Sequence, residues 1–351
     1  MVALSDYELN ALREIELHKE ALATRGSRKL LPTGARSAIE VRGAQVAEQA
    51  RKLPGFTKAA DAAKAGYLQA AAGLGKGLSR ASGLSLSEER VLKGYRRRNH
   101  DVRSLADVRA LDLEQVEKRA RPQYMDFIYA AGAAAEGAGA GLVISGGEIL
   151  AAGGEVAGAG AGAAPGLATV TGVVAFDAAA VLAVCTRAVG HTALYYGYDP
   201  RDPAEAVYAM SVMNLGTAVT GAGKLAAYGE LSKVTQALAR NATWDTLNKH
   251  VLPRLTQKFA EAFGVRLTKQ KLGQLVPVVG IVVGAGLNYR IVDQVTDAAY
   301  WSYRERFLND KRGIVGMSMP TAPVDPDDED EGTIDVLSLL DEAKREADGE
   351  S

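Results

Sequence analysis

Between Phe127 and His191 only Glu136, Glu148, Glu155, Asp177 and Arg187 carry charge, in a chain where 24% of residues are Asp, Glu, Lys or Arg. Gly and Ala fill most of that segment. Gly154, Gly158, Gly162 and Gly166 recur every four residues, which places them on nearly one face of a helix. A bare helix face lets a second helix approach closely, an arrangement favoured where lipid surrounds the helices and packing replaces the hydrophobic drive. Gly costs about 1 kcal/mol relative to Ala inside an exposed helix, so this density calls for helix partners or lipid around it. Residues 156–176 are free of charge over the roughly 20 residues that a bilayer span requires. Pro165 interrupts the run and Glu155 and Asp177 bound it, so insertion would be weak, and a tightly packed soluble hairpin explains the segment equally well.

The same small-residue spacing returns at Gly280 and Gly284, within the apolar run of residues 275–289. The β-branched content of that run leaves a buried strand as the alternative to a helix. Elsewhere the periodicity is helical. Leu4, Leu9, Leu12, Ile15 and Leu17 predict a helix over residues 5–24, with Ser5 and Glu8 at capping-box spacing. Residues 35–82 continue an Ala-rich helical pattern, broken at Pro54 and around Gly73 to Gly77. Ser104 and Asp107 predict a capped helix that runs on toward Pro122, and residues 291–308 predict an amphipathic helix carrying Tyr300, Trp301, Tyr303 and Phe307. The expected fold class is all-α: a multi-helix bundle with Gly/Ala-rich central apolar helices and a disordered acidic C-terminal tail. Its divisions are an N-terminal helical part over residues 1–86, a helical core over 87–312 and the tail over 313–351.

The formal net charge of −1 conceals a division. Residues 321–351 hold twelve acids against Lys344 and Arg345, which leaves 39 Lys and Arg against 30 Asp and Glu in the body. Low hydrophobicity and high charge predict disorder in the tail, with Ile334, Val336, Leu337, Leu339 and Leu340 able to form a short docking helix. In the body, Lys93, Arg96, Arg97, Arg98 and Arg103 crowd into one stretch with His100 and are candidates for contacting anionic head groups. An ordinary solvated helix face is the plainer reading of those charges. A basic body favours anionic lipid or nucleic acid, and an acidic tail can mask either as an electrostatic lid. The stretch lacks a nucleic-acid reader motif and interleaved aromatics, which argues against nucleic acid.

Catalytic patterns are missing. Cys185 is the single cysteine, so no intramolecular disulfide is possible and a reducing, cytoplasmic setting is expected. Asp6 and Glu8 stand where a signal peptide would carry positive charge. His18, His100, His191 and His250 are far apart, without metal-ligand spacing. Gly223 and Lys224 lack the phosphate-loop glycine, Ala218 standing in its place, and the following Ser or Thr, Leu225 standing there. Gly73, Gly75 and Gly77 lack the third glycine of dinucleotide-binding spacing. No enzyme activity, cofactor or metal is therefore expected. Glu136, Asp177, Tyr196, Asp199 and Asn288 are candidate buried polar groups, suited to bonding neighbouring helices.

Five features, taken in order along the chain, resemble the EcsC protein family. They are Y-E-L-N-A-L-R-E-I from Tyr7 to Ile15, E-G with G-x-G after Glu136, Asp177 opening an aliphatic helix, Y-Y-G-Y-D from Tyr195 to Asp199, and V-P-V-V-G with G-x-G-L-N from Val276 to Asn288. The resemblance implies an all-helical bacterial-type intracellular protein, in a family named for a member encoded beside an ABC transporter, and it supplies no catalytic residues. The acidic tail and the R-R-R-N-H stretch are not features of that family. Together these readings point to a peripheral membrane or lipid-binding protein at the inner face of the cell membrane, with Gly154, Gly158, Gly162, Gly166, Gly280 and Gly284 facing lipid. The alternative is a soluble protein–protein interaction module regulated by its acidic tail.

Overall fold

The computed structural model describes residues 3–24, 87–120, 181–239, 251–272, 282–319 and 333–349. Every regular element among them is α-helical, as expected. In chain order they are α1 (Asp6–Thr24), α2 (Glu88–Arg96), α3 (Leu105–Arg109), α4 (Leu113–Ala120), α5 (residues 181–195), α6 (Pro203–Thr217), α7 (Gly221–Ala239), α8 (Val251–Leu272), α9 (Val282–Arg312) and α10 (Val336–Gly349).

Local chemistry sets the helix starts. Ser5 and Glu8 form the reciprocal cap of α1, with the Ser5 amide donating to Glu8 Oε2 at 3.1 Å and the Glu8 amide to Ser5 Oγ at 3.3 Å. Ser104 and Asp107 cap α3 in the same way. The single helix expected from Ser104 toward Pro122 is instead two. Asp112 ends the first and opens α4, its Oδ1 accepting from the Glu114 amide at 2.8 Å while its own amide donates to Gln115 Oε1 at 3.3 Å. An Asp side chain that captures nearby amides competes with continued helix, which is why the break falls there. Asp202 caps α6, and Pro203 at its first position loses no hydrogen bond.

The Y-Y-G-Y-D turn joins α5 to α6. Gly197 sits at φ +85°, and a Cβ built there would lie 2.5 Å from the Leu105 carbonyl oxygen, so glycine is required on both counts. Arg109 donates to the Gly197 carbonyl and fastens α3 to the turn.

Helix α6 is the centre of the bundle. Every residue from Val207 to Thr217 is buried, and the helix packs most extensively on α9 and α7. A Cβ at Gly216 would lie 2.5 Å from Val295 Cα, so the α6 and α9 backbones approach through this glycine. Helix α9 was expected to be amphipathic; instead Ser302, Tyr303, Arg304, Glu305, Phe307, Leu308 and Asn309 are all buried. Its charges can be enclosed because other helices supply their partners. Since α9 begins at Val282, the strand alternative fails for residues 282–289, while residues 275–281 lie outside the described residues.

Disorder of the tail is corrected over residues 333–349, where the short docking helix expected from Ile334, Val336, Leu337, Leu339 and Leu340 is present. These residues form an ordered segment in which α10 packs chiefly on α8 and buries Val336, Leu340 and Ala343. Asn214 of α6 grips the preceding main chain, donating to the Ile334 carbonyl at 3.0 Å and accepting from the Ile334 amide at 3.2 Å. Lys258 of α8 pairs with Glu342 at 3.4 Å and Glu346 at 2.7 Å. The apolar stripe stands out from the acidic residues around it, and its burial offsets the entropy of ordering.

Candidate functional site

Charge is distributed in two contrasting ways. The first is a buried lattice threaded along α9. Arg306 makes a forked pair with Glu205 of α6, at 2.9 and 2.5 Å, and its guanidinium lies 4.2 Å from the Tyr198 ring centroid and 4.4 Å from that of Tyr208. Arg304 donates to Glu14 of α1 at 2.7 Å, and it pairs with Glu117 of α4, with Nε 2.7 Å from Oε1 and Nη2 donating to Oε2 at 3.4 Å. Glu117 also accepts from the Tyr7 hydroxyl and, at 3.2 Å, from that of Tyr196. Lys19 of α1, 1% exposed, pairs with Glu305 at 2.6 Å, and the Tyr228 hydroxyl donates to the same carboxylate. Lys311 pairs with Glu8, which also accepts from the Leu113 amide at 3.1 Å.

Burial pushes the carboxyls of Glu117, Glu205 and Glu305 above the usual range, against the opposing pull of Arg304, Arg306 and Lys19 respectively. Breaking one such pair leaves a charge stranded away from water, so the lattice fixes how α1, α4, α6 and α7 sit on α9. Beside Lys19 and Glu305 lies a cavity of about 60 Å3, bordered by His18, Lys224, Asp297, Trp301 and Ser302. It has room for a few waters, not for an acyl chain.

The second distribution is the exposed cationic turn after α2. Lys93, Arg96, Arg97, Arg98 and Arg103 are all exposed. Glu88 and Glu89 open α2 while Lys93 and Arg96 close it, in the sense that the helix dipole favours. Asn99, at φ +63°, then reverses the chain. Arg96 pairs with Glu89, and Arg98 donates to the Lys118 carbonyl at 2.6 Å. Arg103 meets Asp101 only at 3.5 Å with both side chains more than four-fifths exposed, a pair of little worth. Lys93 and Arg97 make no ion pair with any described residue.

The remaining residues singled out from sequence are scattered. Tyr196 is buried on Glu117, and Asn288 is buried on α9. Asp199, expected to be buried, is half-exposed: it accepts from the Arg201 amide at 3.0 Å and from its guanidinium at 2.8 Å, which suits a turn at the surface. Gly284 lies near the start of α9. Gly154, Gly158, Gly162, Gly166, Gly280, Glu136 and Asp177 lie outside the described residues.

Sequence reasoning missed the lattice members Lys19, Glu117, Glu205, Arg304, Glu305 and Arg306, and Asn214, which holds the tail main chain. One signal was available. Arg304-Glu305-Arg306 sweeps roughly 200° of helix between Tyr303 and Phe307, so these charges cannot share one solvent face with the aromatics beside them. Their partners come from helices distant in sequence and carry no local signature. Among the described residues no group of His, Cys, Asp or Glu is placed to hold a metal ion, and no helix is long and apolar enough to cross a membrane.

The arrangement defines a class first: an all-α bundle with a charge-laced central helix and a cationic turn at its surface. The EcsC protein family profile matches residues 78–308, and the chain belongs to that family. It is similar to the Bacillus subtilis (strain 168) protein named "Uncharacterized protein YdbA", with 30% identity over 134 residues that take in 38% of this chain and 46% of that protein. The chain thus spans about half the length of this curated relative. No solved structure matches the chain.

Proposed function

We propose that this EcsC-family protein is a non-catalytic, peripheral binder of anionic lipid surfaces, acting at the inner face of the cell membrane. One observation carries the reading. Five cations around the end of α2 are exposed together, and Lys93 and Arg97 among them have no partner carboxylate in the described residues. Cations kept near an anionic surface contribute about 1 kcal/mol each, which suffices for reversible recruitment without insertion. The segment carrying Gly154 to Gly166 would add shallow apolar contact. Co-sedimentation of the full chain with phosphatidylserine-containing vesicles tests the reading. Binding at low salt that is lost at high salt, and is not seen with phosphatidylcholine alone, is expected; no binding at low salt overturns it.

A second reading, a protein–protein interaction module regulated by the acidic tail, is favoured by the seat of α10. Ile334, Val336, Leu340 and Ala343 fill a groove on the bundle, and Asn214 reads main chain there rather than a side chain. The tail helix is tethered by Lys258 of α8, so a lid built from it would act on this groove. Leu340→Asp should undock α10 and uncover a binding partner's site. Failure of that variant to bind any helix the parent rejects would remove this reading.

A further inference from the structure

Behind the exposed turn, three helices bring basic side chains to one place. Arg187, His191 and Tyr195 follow one another at four-residue intervals and so share a face of α5. Tyr195 is buried and is the floor: the His191 ring stacks on it with centroids 5.0 Å apart, and the Arg119 guanidinium of α4 lies 5.1 Å from its centroid. Arg90 of α2 also bears on this site. Burial is the main cause that holds the His191 pKa down, and the charges of Arg187, Arg119 and Arg90 work in the same direction.

Two observations make this more than a basic patch. Arg119 is half-buried, its Nε has no hydrogen-bond partner, and no described residue forms an ion pair or hydrogen bond with its guanidinium. A planar fork held over an aromatic ring, without a hydrogen-bond or ion-pair partner among the described residues, is preorganised for an oxyanion. In addition, Gly94 stands mid-helix in α2, where glycine is a poor helix former, and a Cβ there would lie 2.7 Å from Arg119 Cζ. The missing side chain makes the space in which the guanidinium rests.

We infer that Arg119, over the Tyr195 ring, and Arg187 and Arg90, close enough to act on the neighbouring His191, form a binding site for a phosphate monoester. A tetrahedral dianion presents enough oxygens for several guanidinium forks, and His191 lines the site as a neutral ring. The group belongs either to a lipid head group, in which case this inference rests on the membrane reading and gives it a specific seat, or to a free phosphorylated molecule.

The test uses the full chain and two probes: inorganic phosphate, followed through the His191 ring resonance, and vesicles containing phosphatidic acid or phosphatidylserine. Phosphate should bind saturably and raise the His191 pKa from about 4: burial depresses it most, and an anion offsets the part that the arginine charges add. Arg119→Gln and Gly94→Ala should each weaken phosphate binding at least tenfold. Arg187→Gln, at an exposed position where folding is not at stake, should weaken it several-fold. If phosphate binding is absent, or is unchanged in all three variants, the site is refuted even where vesicles still bind through Arg96 to Arg98. Preference for phosphatidic acid over phosphatidylserine that disappears in Arg119→Gln assigns the lipid source. Saturable phosphate binding with no vesicle binding keeps the site, assigns the free source and overturns the membrane reading.

Discussion

Helix α9 and the end of α2 carry the same residue types to opposite fates. In α9, Arg304, Glu305 and Arg306 are enclosed, each matched by a group from another helix: Glu117, Lys19 and Glu205. At the end of α2, Arg96, Arg97 and Arg98 face water, and among the described residues only Arg96 of the three has a carboxylate, from its own helix. Placement of the counter-charge, not the basic residue itself, separates structure from recognition. Where partners converge the charges lock helices together; where they do not, positive charge is left over for something outside the chain.

The sharpest break in this contrast is Arg306→Met. It strands Glu205, 6% exposed, and should cost roughly 3–5 kcal/mol in urea unfolding. Adding Glu205→Gln should restore part of that loss; a single-variant cost under about 1 kcal/mol would show that the lattice is not holding the bundle. Next in size is Gly197→Ala, which meets both a positive φ and the Leu105 carbonyl. A loss of roughly 2–3 kcal/mol is expected by the same assay, with the cationic turn unaffected.

The pH dependence of folding sharpens the comparison further. Folding raises the pKa of Glu117, Glu205 and Glu305, so the folded state holds more protons just above the ordinary carboxylate range. Their favourable contribution is complete below that range and is lost as pH rises through the raised values. His191 acts in the other direction: depressed to about 4, it contributes above its usual value and loses that contribution as pH falls. Unfolding curves of Glu117→Gln should therefore fall less steeply with rising pH than those of the parent, and parallel curves would contradict the buried-carboxylate account. The smallest effect on stability belongs to the surface: Arg97→Gln should shift the unfolding midpoint by no more than about 0.5 kcal/mol equivalent.

The sequence and the fold agree most closely where the determinants are local. Ser5 with Glu8, Ser104 with Asp107, and the Leu12 and Ile15 spacing lie within a turn or two of the helices they specify, and α1 begins within a residue of the expected start. Close backbone approach through glycine was also anticipated, but the described instance is Gly216 against Val295, at a position no repeat marks. The lattice was illegible because Glu117 and Arg304 are 187 residues apart and Glu8 and Lys311 are 303 apart, so only the completed fold brings their charges together. In the tail, the docking helix was legible in the apolar residues from Ile334 to Leu340, while the disorder predicted from acidic composition fails over residues 333–349. The cationic turn was plain from sequence, yet its exposure and the unmatched state of Lys93 and Arg97 needed coordinates.

The most direct test is the fraction of protein that co-sediments with anionic vesicles at low salt when Arg96, Arg97 and Arg98 are all changed to Glu. Reversing three charges should abolish most of the binding while the thermal melt stays close to that of the parent. Undiminished binding by a folded triple variant would contradict the division between locked and outward-facing charge.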